Sequence, residues 1–402
     1  MPPREHIVIA GASLAAHRAL TELRRLGFEG RITLIGAEKH YPYDRPPLSK
    51  QILQGTWEPV RTLLDDPDHY NELRADLLRG RQAVALHAGA REVELDDGTR
   101  VAYDALLIAT GASPRTLPNT PALAGIHTLR TMDDALALRA AFDSGAKVCV
   151  IGAGFIGAEV AASARGRGLE VTMLEALDQP LARVLGAKVG AAVAEVHRAQ
   201  GVDLRCGATV TGFEGSERVE AVILADGSKV AADVVVVGIG VRPNTAWLVG
   251  SGIELDDGVL CDATLATNVA GVWAAGDVAR WQNPHYGEHM RAEHWTSAVE
   301  QGMAVAANIL RGPGAGEPHS TVPYVWSDQY DISIQVYGHP RPGDEVEVVL
   351  DEPDAGKVLA LFGRDGKLSA AAGWGVRPRL TRLNQLLEQH APWTLALSLA
   401  HE

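Results

Sequence analysis

Cysteine is scarce. The 402-residue chain has three, Cys149, Cys206 and Cys261, widely separated. They form no Cys-x-x-Cys pair and no zinc-ligand spacing, which excludes electron relay through a paired-cysteine disulfide and a cysteine zinc site. Cys149 lies inside an apolar run and is predicted to be buried and inert. Long hydrophobic runs are missing too, and none approaches the ~20 residues that span a bilayer. The N-terminus, Met1-Pro2-Pro3-Arg4-Glu5-His6, leads at once into an apolar strand, without a leader's apolar stretch and small-residue cleavage site. A soluble, cytoplasmic protein with no membrane partner is expected. Positive charge is in deficit: 37 Lys and Arg stand against 50 Asp and Glu, a formal net charge of −13. That balance argues against a nucleic-acid partner, whose phosphates favour a basic surface. What the chain does have is 46% hydrophobic residues, enough for the cores of two or three domains.

Those residues fall into runs that read as buried parallel strands alternating with helices. Ile7–Ala10 leads to a predicted helix over Leu14–Leu26, then to the strand Ile32–Ile35. Lys147–Ile151, a helix over Phe155–Arg167 and the strand Val171–Glu175 repeat the arrangement. Each unit is followed by an Asp-Gly hairpin and a further strand. The first has Asp96–Thr99 and Leu106–Gly111; the second has Asp226–Ser228 and Val234–Gly238. Strand–helix–strand units of this kind predict parallel sheets with right-handed crossovers, so the sequence reads as an internal duplication of a nucleotide-binding design. Near Val322 the pattern changes to short strands, Ile332–Tyr337, Val346–Leu350 and Lys357–Phe362, and a helix over Leu380–Glu388. The stretch Gly312–Gly316 reads as the linker.

Gly152-Ala153-Gly154-Phe155-Ile156-Gly157 sits between strand and helix, where a dinucleotide fingerprint must sit. Its glycines permit a tight turn, close approach of a pyrophosphate and close helix–strand packing. Glu175, at the end of the next strand, can accept hydrogen bonds from a ribose and repel a 2′-phosphate. Ala176-Leu177-Asp178 supply no arginine for that phosphate, so NADH is favoured over NADPH. The N-terminal copy, Gly11-Ala12-Ser13-Leu14-Ala15-Ala16, has small residues in place of two glycines. It reads as a first dinucleotide site, with Glu38 as ribose ligand; the rival reading, a Gly-x-Ser-x-Gly nucleophile elbow, is broken by Ala15. The strand ending Ala274-Ala275-Gly276-Asp277 is a further signal, for which a helix cap is the bland alternative. His285, His289 and His294 lack supporting carboxylate or cysteine spacing, and no metal is expected.

Tyr41-Pro42-Tyr43-Asp44-Arg45-Pro46-Pro47-Leu48-Ser49-Lys50 resembles the flavin-side loop of one enzyme family. These are the NADH-linked, FAD-dependent ferredoxin reductases of the putidaredoxin reductase and biphenyl dioxygenase reductase type. The resemblance continues through Leu129-Arg130-Thr131, Gly238–Asn244 and Trp326-Ser327-Asp328-Gln329-Tyr330, fading after about Pro353. It implies an α/β fold with two Rossmann-like dinucleotide-binding domains, glutathione-reductase-like, plus a small C-terminal α+β domain. The FAD domain would be discontinuous, over 1–113 and 245–320, with an NADH domain over 114–244 and a C-terminal domain over 321–402.

The resemblance also implies roles. Around FAD it places Gly11, Ser13, Ala15, Ala16, Glu38, Arg45, Lys50, Ala83, Ala109, Thr110, Gly111, Arg130, Gly276 and Asp277, the last on the ribityl chain. Around NADH it places Gly152, Gly154, Phe155, Ile156, Gly157, Glu175 and Gly240, with Glu159 near the nicotinamide. Glu293-His294-Trp295 opens a predicted helix over Thr296–Ile309 whose positive end would face the flavin. Trp295 and Trp326 would flank the isoalloxazine. Lys50, Glu159 and Trp295 are the residues expected to take part in catalysis. The implied partner is a small [2Fe–2S] ferredoxin that feeds a cytochrome P-450 type or Rieske oxygenase. Arg364, Lys367, Arg377, Arg379 and Arg382, with Asp365 the one acid among them, cluster in sequence, read either as a patch that steers an acidic ferredoxin or as a solvated basic helix face. An NADH oxidase, a rubredoxin reductase, a nitrite reductase component and an apoptosis-inducing-factor-like redox sensor stay open as alternatives on this fold.

Overall fold

A computed structural model describes residues 5–352 and 356–401. The first four residues of the segment read for a leader, and Pro353, where the resemblance fades, lie outside the described residues. The chain divides into two compact units. Unit 1 takes the chain up to Asp44, Val60–Ser113 and Arg242–Pro323; unit 2 takes Arg45–Pro59, Pro114–Val241 and the chain from Tyr324 on.

Unit 1 is built on a five-stranded parallel sheet in the order Val272–Ala274, Ala105–Ile108, His6–Ala10, Arg31–Gly36, Ala75–Arg79. Ile9 lies opposite Leu34 on one side and Leu107 on the other, and Trp273 lies opposite Leu107. Continuous apolar runs suit such central strands, which are covered on both faces. The helices Leu14–Arg25 and Trp295–Arg311 pack on each other through small residues. A Cβ on Gly302 would stand 2.6 Å from the Ala15 carbonyl oxygen. The hairpin turn at Asp96–Thr99 joins two strands of a three-stranded antiparallel sheet, Ala83–His87, Glu92–Leu95 and Arg100–Ala102.

Unit 2 repeats the plan. Its parallel sheet runs Asp203–Arg205, Val171–Leu174, Val148–Ile151, Val234–Val237, Ile126–His127, with the antiparallel sheet Val210–Glu214, Ala221–Leu224, Lys229–Ala231 beside it in sequence. Cys149 is buried in this sheet, and burial pushes its thiol up to about 12. From Tyr324 the chain forms a five-stranded antiparallel sheet in the order Tyr324–Gln329, Ile332–Gly338, Lys367–Trp374, Lys357–Arg364, Glu345–Glu352. Leu185, Val189 and Val193 of the helix Ala182–Ala199 pack against Ile334, Val336, Phe362 and Trp374 of this sheet.

Several elements went unpredicted, the helices Met132–Asp143 and Ala182–Ala199 among them, and two near the C-terminus show why. The strand Lys367–Trp374 carries Ala370, Ala371 and Ala372, all fully buried, so packing against its neighbours overrides alanine's helical preference. The helix Trp393–Ala400 is short and apolar, without a polar face to mark its period. Among the described residues no helix is long and apolar enough to cross a membrane.

Candidate functional site

In unit 2 the glycine loop has the shape its sequence requires. Gly152 sits at φ +97°, and a Cβ there would meet the Gly238 carbonyl oxygen at 2.4 Å. A Cβ on Gly157 would stand 2.0 Å from the Gly152 oxygen, so glycine alone permits this closeness of helix and loop. Gly154 differs: nothing lies within 4 Å of its Cβ position. It begins the helix Phe155–Gly166 with no side-chain cap, leaving the open approach and exposed N–H dipoles that an anionic pyrophosphate needs. Glu175 closes the loop from the other side. Its Oε2 accepts from the Ala153 N–H at 2.8 Å and its Oε1 from the Leu177 N–H at 2.9 Å, which fixes the carboxylate. Phe155 packs on the core beneath the C-terminal sheet, while Ile156 is exposed. Gly240, at φ +97°, accepts from the Arg115 N–H at 2.9 Å. One neighbour went unnoticed in the sequence: Arg205, whose carbonyl accepts from the Glu175 N–H at 2.9 Å. Its guanidinium is held by Asp203 at 2.6 Å.

The loop Arg45–Pro59 also belongs to unit 2. Arg45 Nη1 donates to the Arg130 carbonyl at 2.5 Å, and the Arg130 N–H donates to Asp134 at 3.0 Å, so these two expected FAD ligands sit together. Lys50 and Glu159 also meet. Lys50 Nζ lies 2.8 Å from Glu159 Oε2, and both residues are buried. Glu159 is therefore no ordinary helix-surface glutamate. Trp326 stacks on Tyr324, with ring centroids 6.0 Å apart.

In unit 1, Gly11 sits at φ +129°, and a Cβ there would meet the Ala109 oxygen at 2.1 Å. Ser13 begins the helix Leu14–Arg25 without a side-chain cap bond, and Ala15 and Ala16 are buried behind it. Glu38 accepts from the Tyr43 hydroxyl at 2.5 Å. Ala83 is buried at the start of its strand. Thr110 is clamped by Asn244: its Oγ1 donates to the Asn244 carbonyl, and Asn244 Nδ2 donates back to the Thr110 carbonyl, both at 2.9 Å. The Asn244 N–H reaches the Gly111 carbonyl. Gly276, at φ +77°, donates its N–H to the fully buried Gln301 at 2.8 Å. Asp277 lies in a 3₁₀ turn, Gly276–Val278. Its carbonyl accepts from Arg291, which also pairs with Asp257 and with Glu293 at 2.5 Å. His294 begins the helix Trp295–Arg311 without a side-chain cap, and Trp295 Nε1 donates to Asp44 at 2.7 Å. Asn244, Gln301 and Arg291 were not assigned roles from sequence. An amide or guanidinium that braces a backbone turn leaves no local pattern, although Asn244 lies within a segment that carries the resemblance.

One expectation is corrected. Arg364 is not part of an open basic cluster: its Nε lies 2.7 Å from Asp344 Oδ1, a buried carboxylate, and its Nη2 reaches the His339 carbonyl. Lys367, Arg377, Arg379 and Arg382 are exposed.

Residues 5–302 match the family model for pyridine nucleotide-disulphide oxidoreductases, and residues 324–399 match that for a reductase C-terminal domain. The chain belongs to the pyridine nucleotide-disulphide oxidoreductase family. The disulfide of the family's name has no counterpart in this chain's three separated cysteines. The chain is 39% identical over 368 residues to the ferredoxin–NAD(+) reductase component of an anthranilate 1,2-dioxygenase system from Burkholderia cepacia, covering 91% of this chain and 89% of that one. It is 40% identical over 367 residues to the corresponding biphenyl dioxygenase component of Paraburkholderia xenovorans (strain LB400), covering 91% and 88%. Among solved structures, it matches one of a covalent putidaredoxin reductase–putidaredoxin complex with a TM-score of 0.91 at 32% identity, over 97% of this chain and 94% of that one. The α/β architecture with paired dinucleotide-binding folds and a C-terminal reductase domain is thus that of this oxidoreductase family.

Proposed function

We propose that this chain is a ferredoxin reductase that takes hydride from NADH and passes electrons one at a time, through FAD, to a small iron–sulfur ferredoxin. The observation that carries the reading is the presence of two glycine loops of one design, the second closed by the fixed carboxylate of Glu175. Relatives named as reductase components of dioxygenase systems, alike over nine-tenths of the chain, support it. Residues 1–113 and 245–320 hold FAD, 114–244 hold NADH, and 321–402 form the C-terminal domain. The protein works in the cytoplasm, and its ferredoxin, of the [2Fe–2S] class, feeds a P-450 type or Rieske oxygenase.

Bound FAD supplies the exchange between a two-electron donor and one-electron acceptors. The chain's own residues bind and orient. The uncapped helix starts at Ser13 and Gly154 take the two pyrophosphates. Asp277 holds the ribityl chain, braced by Arg291 through its carbonyl. Glu175 takes the adenine ribose of NADH. Arg45 and Lys50 lie against the flavin, where a cation offsets the negative charge that reduction adds. The helix start at His294 contributes its positive end. Hydride transfer itself needs stacking and orientation more than an acid or a base.

The test is purification followed by turnover. The protein is expected to be yellow, with one FAD per chain, and to reduce a [2Fe–2S] ferredoxin with NADH much faster than with NADPH. A protein that cannot be reconstituted with FAD would overturn the reading. Rapid turnover with oxygen alone, and none with ferredoxins, would favour an NADH oxidase.

A further inference from the structure

Around Glu159 every hydrogen-bond donor points the same way. Lys50 Nζ at 2.8 Å and Ser49 Oγ at 2.5 Å donate to Oε2, and Ser327 Oγ donates to Oε1 at 2.9 Å. Ser327 has a donor behind it: Gln329 Nε2, at 3.1 Å. With that amide nitrogen donating, Gln329 Oε1 is the acceptor for His197 Nε2 at 3.1 Å, so the ring proton sits on Nε2. His197 Nδ1 then accepts from the Tyr330 hydroxyl at 2.8 Å. Burial pushes His197 down to about 4, which keeps the ring neutral near neutral pH. Ser327, Gln329 and His197 are each fully buried. The chain Tyr330, His197, Gln329, Ser327 thus runs one way and ends on a carboxylate, the arrangement in which successive bonds polarise each other.

The local fold is shaped for this. Ser327 and Gln329 alternate along one strand and so share a face. Tyr330 turns the chain at φ +55°, a conformation uncommon for a tyrosine, and its ring meets His197 edge-on with centroids 5.3 Å apart. Ser163 Oγ, one helical turn beyond Glu159, donates to the Ser49 carbonyl at 2.7 Å and steadies the lysine loop. The buried carboxylate therefore has both oxygens fixed, one by the lysine loop and one by the C-terminal strand.

We propose that Ser327, Gln329 and His197 are positioning residues for the reduction step: the hydrogen-bond chain they form holds Glu159 in the orientation that keeps the Lys50 ammonium fixed where it acts on the flavin. The inference rests on the ferredoxin-reductase reading for the placement of Lys50 against FAD. It gives the C-terminal region a part in hydride transfer in addition to any part in meeting the partner.

The test uses flavin-loaded full-length protein and four forms: wild type, Ser327→Ala, Ser327→Thr and Gln329→Leu. Stopped-flow reduction by NADH separates the limiting rate from the apparent Kd, and redox titration gives the flavin midpoint potential. We expect Ser327→Ala to lower the limiting rate about tenfold, with the apparent Kd within about twofold of wild type, and to move the midpoint potential downward. Ser327→Thr, which keeps the hydroxyl, should restore both. Gln329→Leu leaves every direct bond to Glu159 in place and should show a smaller change in the same direction. It also carries the test if Ser327→Ala does not hold flavin. Nitrogen-15 NMR of the histidine ring should show the neutral Nε2–H form of His197 in the wild type. Wild-type rates and potentials in both Ser327→Ala and Gln329→Leu would overturn the inference, as would an Nδ1–H tautomer for His197. Failure of the wild type itself to be reduced by NADH would instead overturn the functional reading.

Discussion

The two glycine loops answer the same structural demand with different residues, and the contrast separates what the fold needs from what the ligand needs. At the first position both copies keep glycine, Gly11 and Gly152, because a Cβ would strike a backbone oxygen of the neighbouring segment at 2.1 Å or 2.4 Å. That requirement belongs to the fold. At the second position Ser13 replaces the glycine represented by Gly154, in a place where a Cβ is tolerated. At the third position Gly157 lies too close to its own loop for any side chain, yet Ala16 carries one. The helix Leu14–Arg25 therefore cannot sit on its loop as closely as Phe155–Gly166 does. The carboxylates differ as well. Glu175 is fixed to two backbone N–H groups of its loop, whereas Glu38 accepts from the Tyr43 side chain.

The largest effect should come from the shared glycines. Gly11→Ala and Gly152→Ala each force a Cβ into a carbonyl at positive φ, a cost on the order of 2–4 kcal/mol. Gly11→Ala should lose FAD, and Gly152→Ala should lose NADH affinity while FAD is retained; both should lower the apparent melting temperature. Equal loss of FAD in the two variants would break the division of labour between the copies. Gly157→Ala should be harmful in the same way and Ala16→Gly nearly silent, so harm from both would show that the copies are closer in shape than their sequences suggest.

Next comes nucleotide choice. Glu175→Ala removes the loop brace and, with it, the proposed ribose acceptor, and the NADH-to-NADPH preference should fall about tenfold or more. Glu38→Ala should leave that preference unchanged. Steady-state reduction of ferricyanide with each nucleotide decides it, and an unaltered ratio in Glu175→Ala would remove Glu175 from its assigned role.

Acid should expose a weakness common to both units. His17 in unit 1 and His197 in unit 2 are each pushed by burial from 6.5 down to about 4. Because the folded value is the lower one, the unfolded chain takes up these protons first. The stability held by the neutral rings is complete above about pH 6.5 and is lost progressively as pH falls toward 4. Melting temperatures measured from pH 7.5 to 5 should fall, and His17→Gln or His197→Gln should each flatten the slope. A slope unchanged in both variants would assign the acid sensitivity to other groups, His319 first, which burial also pushes down to about 4.

The smallest expected effect is at Asp203. Removing it with Asp203→Ala frees Arg205 beside Glu175, and NADPH use should rise a few-fold at low salt. The exposed pair holds Arg205 only weakly, so more than that is not expected. No change would show that Arg205 does not reach the 2′ position.

The duplicated design, the glycine turns and the position of Glu175 beside the second of them were legible in the sequence because each rests on local chemistry. Strand runs, turn signals and the spacing from fingerprint to carboxylate all lie within about thirty residues of chain. What was not legible depended on residues distant in sequence. Local pattern alone leaves Glu159 an ordinary glutamate on a helix, and only the resemblance singled it out; its partners Lys50, 109 residues away, and Ser327, 168 residues away, are visible only in the fold. The basic cluster near the C-terminus was overcounted for the same reason: sequence shows that Arg364 is near other cations but not that Asp344 neutralises it. The alanine-rich strand Lys367–Trp374 was missed because its conformation is decided by the sheet around it rather than by its own residues.

The packing of the C-terminal sheet on the helix Ala182–Ala199 bears on how this chain can be re-engineered. Leu185, Val189 and Val193 belong to the nucleotide half in sequence, but their apolar faces are completed by Ile334, Val336, Phe362 and Trp374. The stretch Gly312–Gly316, read from sequence as the linker, lies within unit 1, and the units divide at Pro323 and Tyr324; a chain cut there would leave that helix with an uncovered greasy stripe and a tendency to aggregate. Grafting another reductase's tail to change electron acceptor would fail at the same seam unless the helix travelled with it. The transplantable cassette is therefore defined by packing, and its boundaries do not follow the order of the gene.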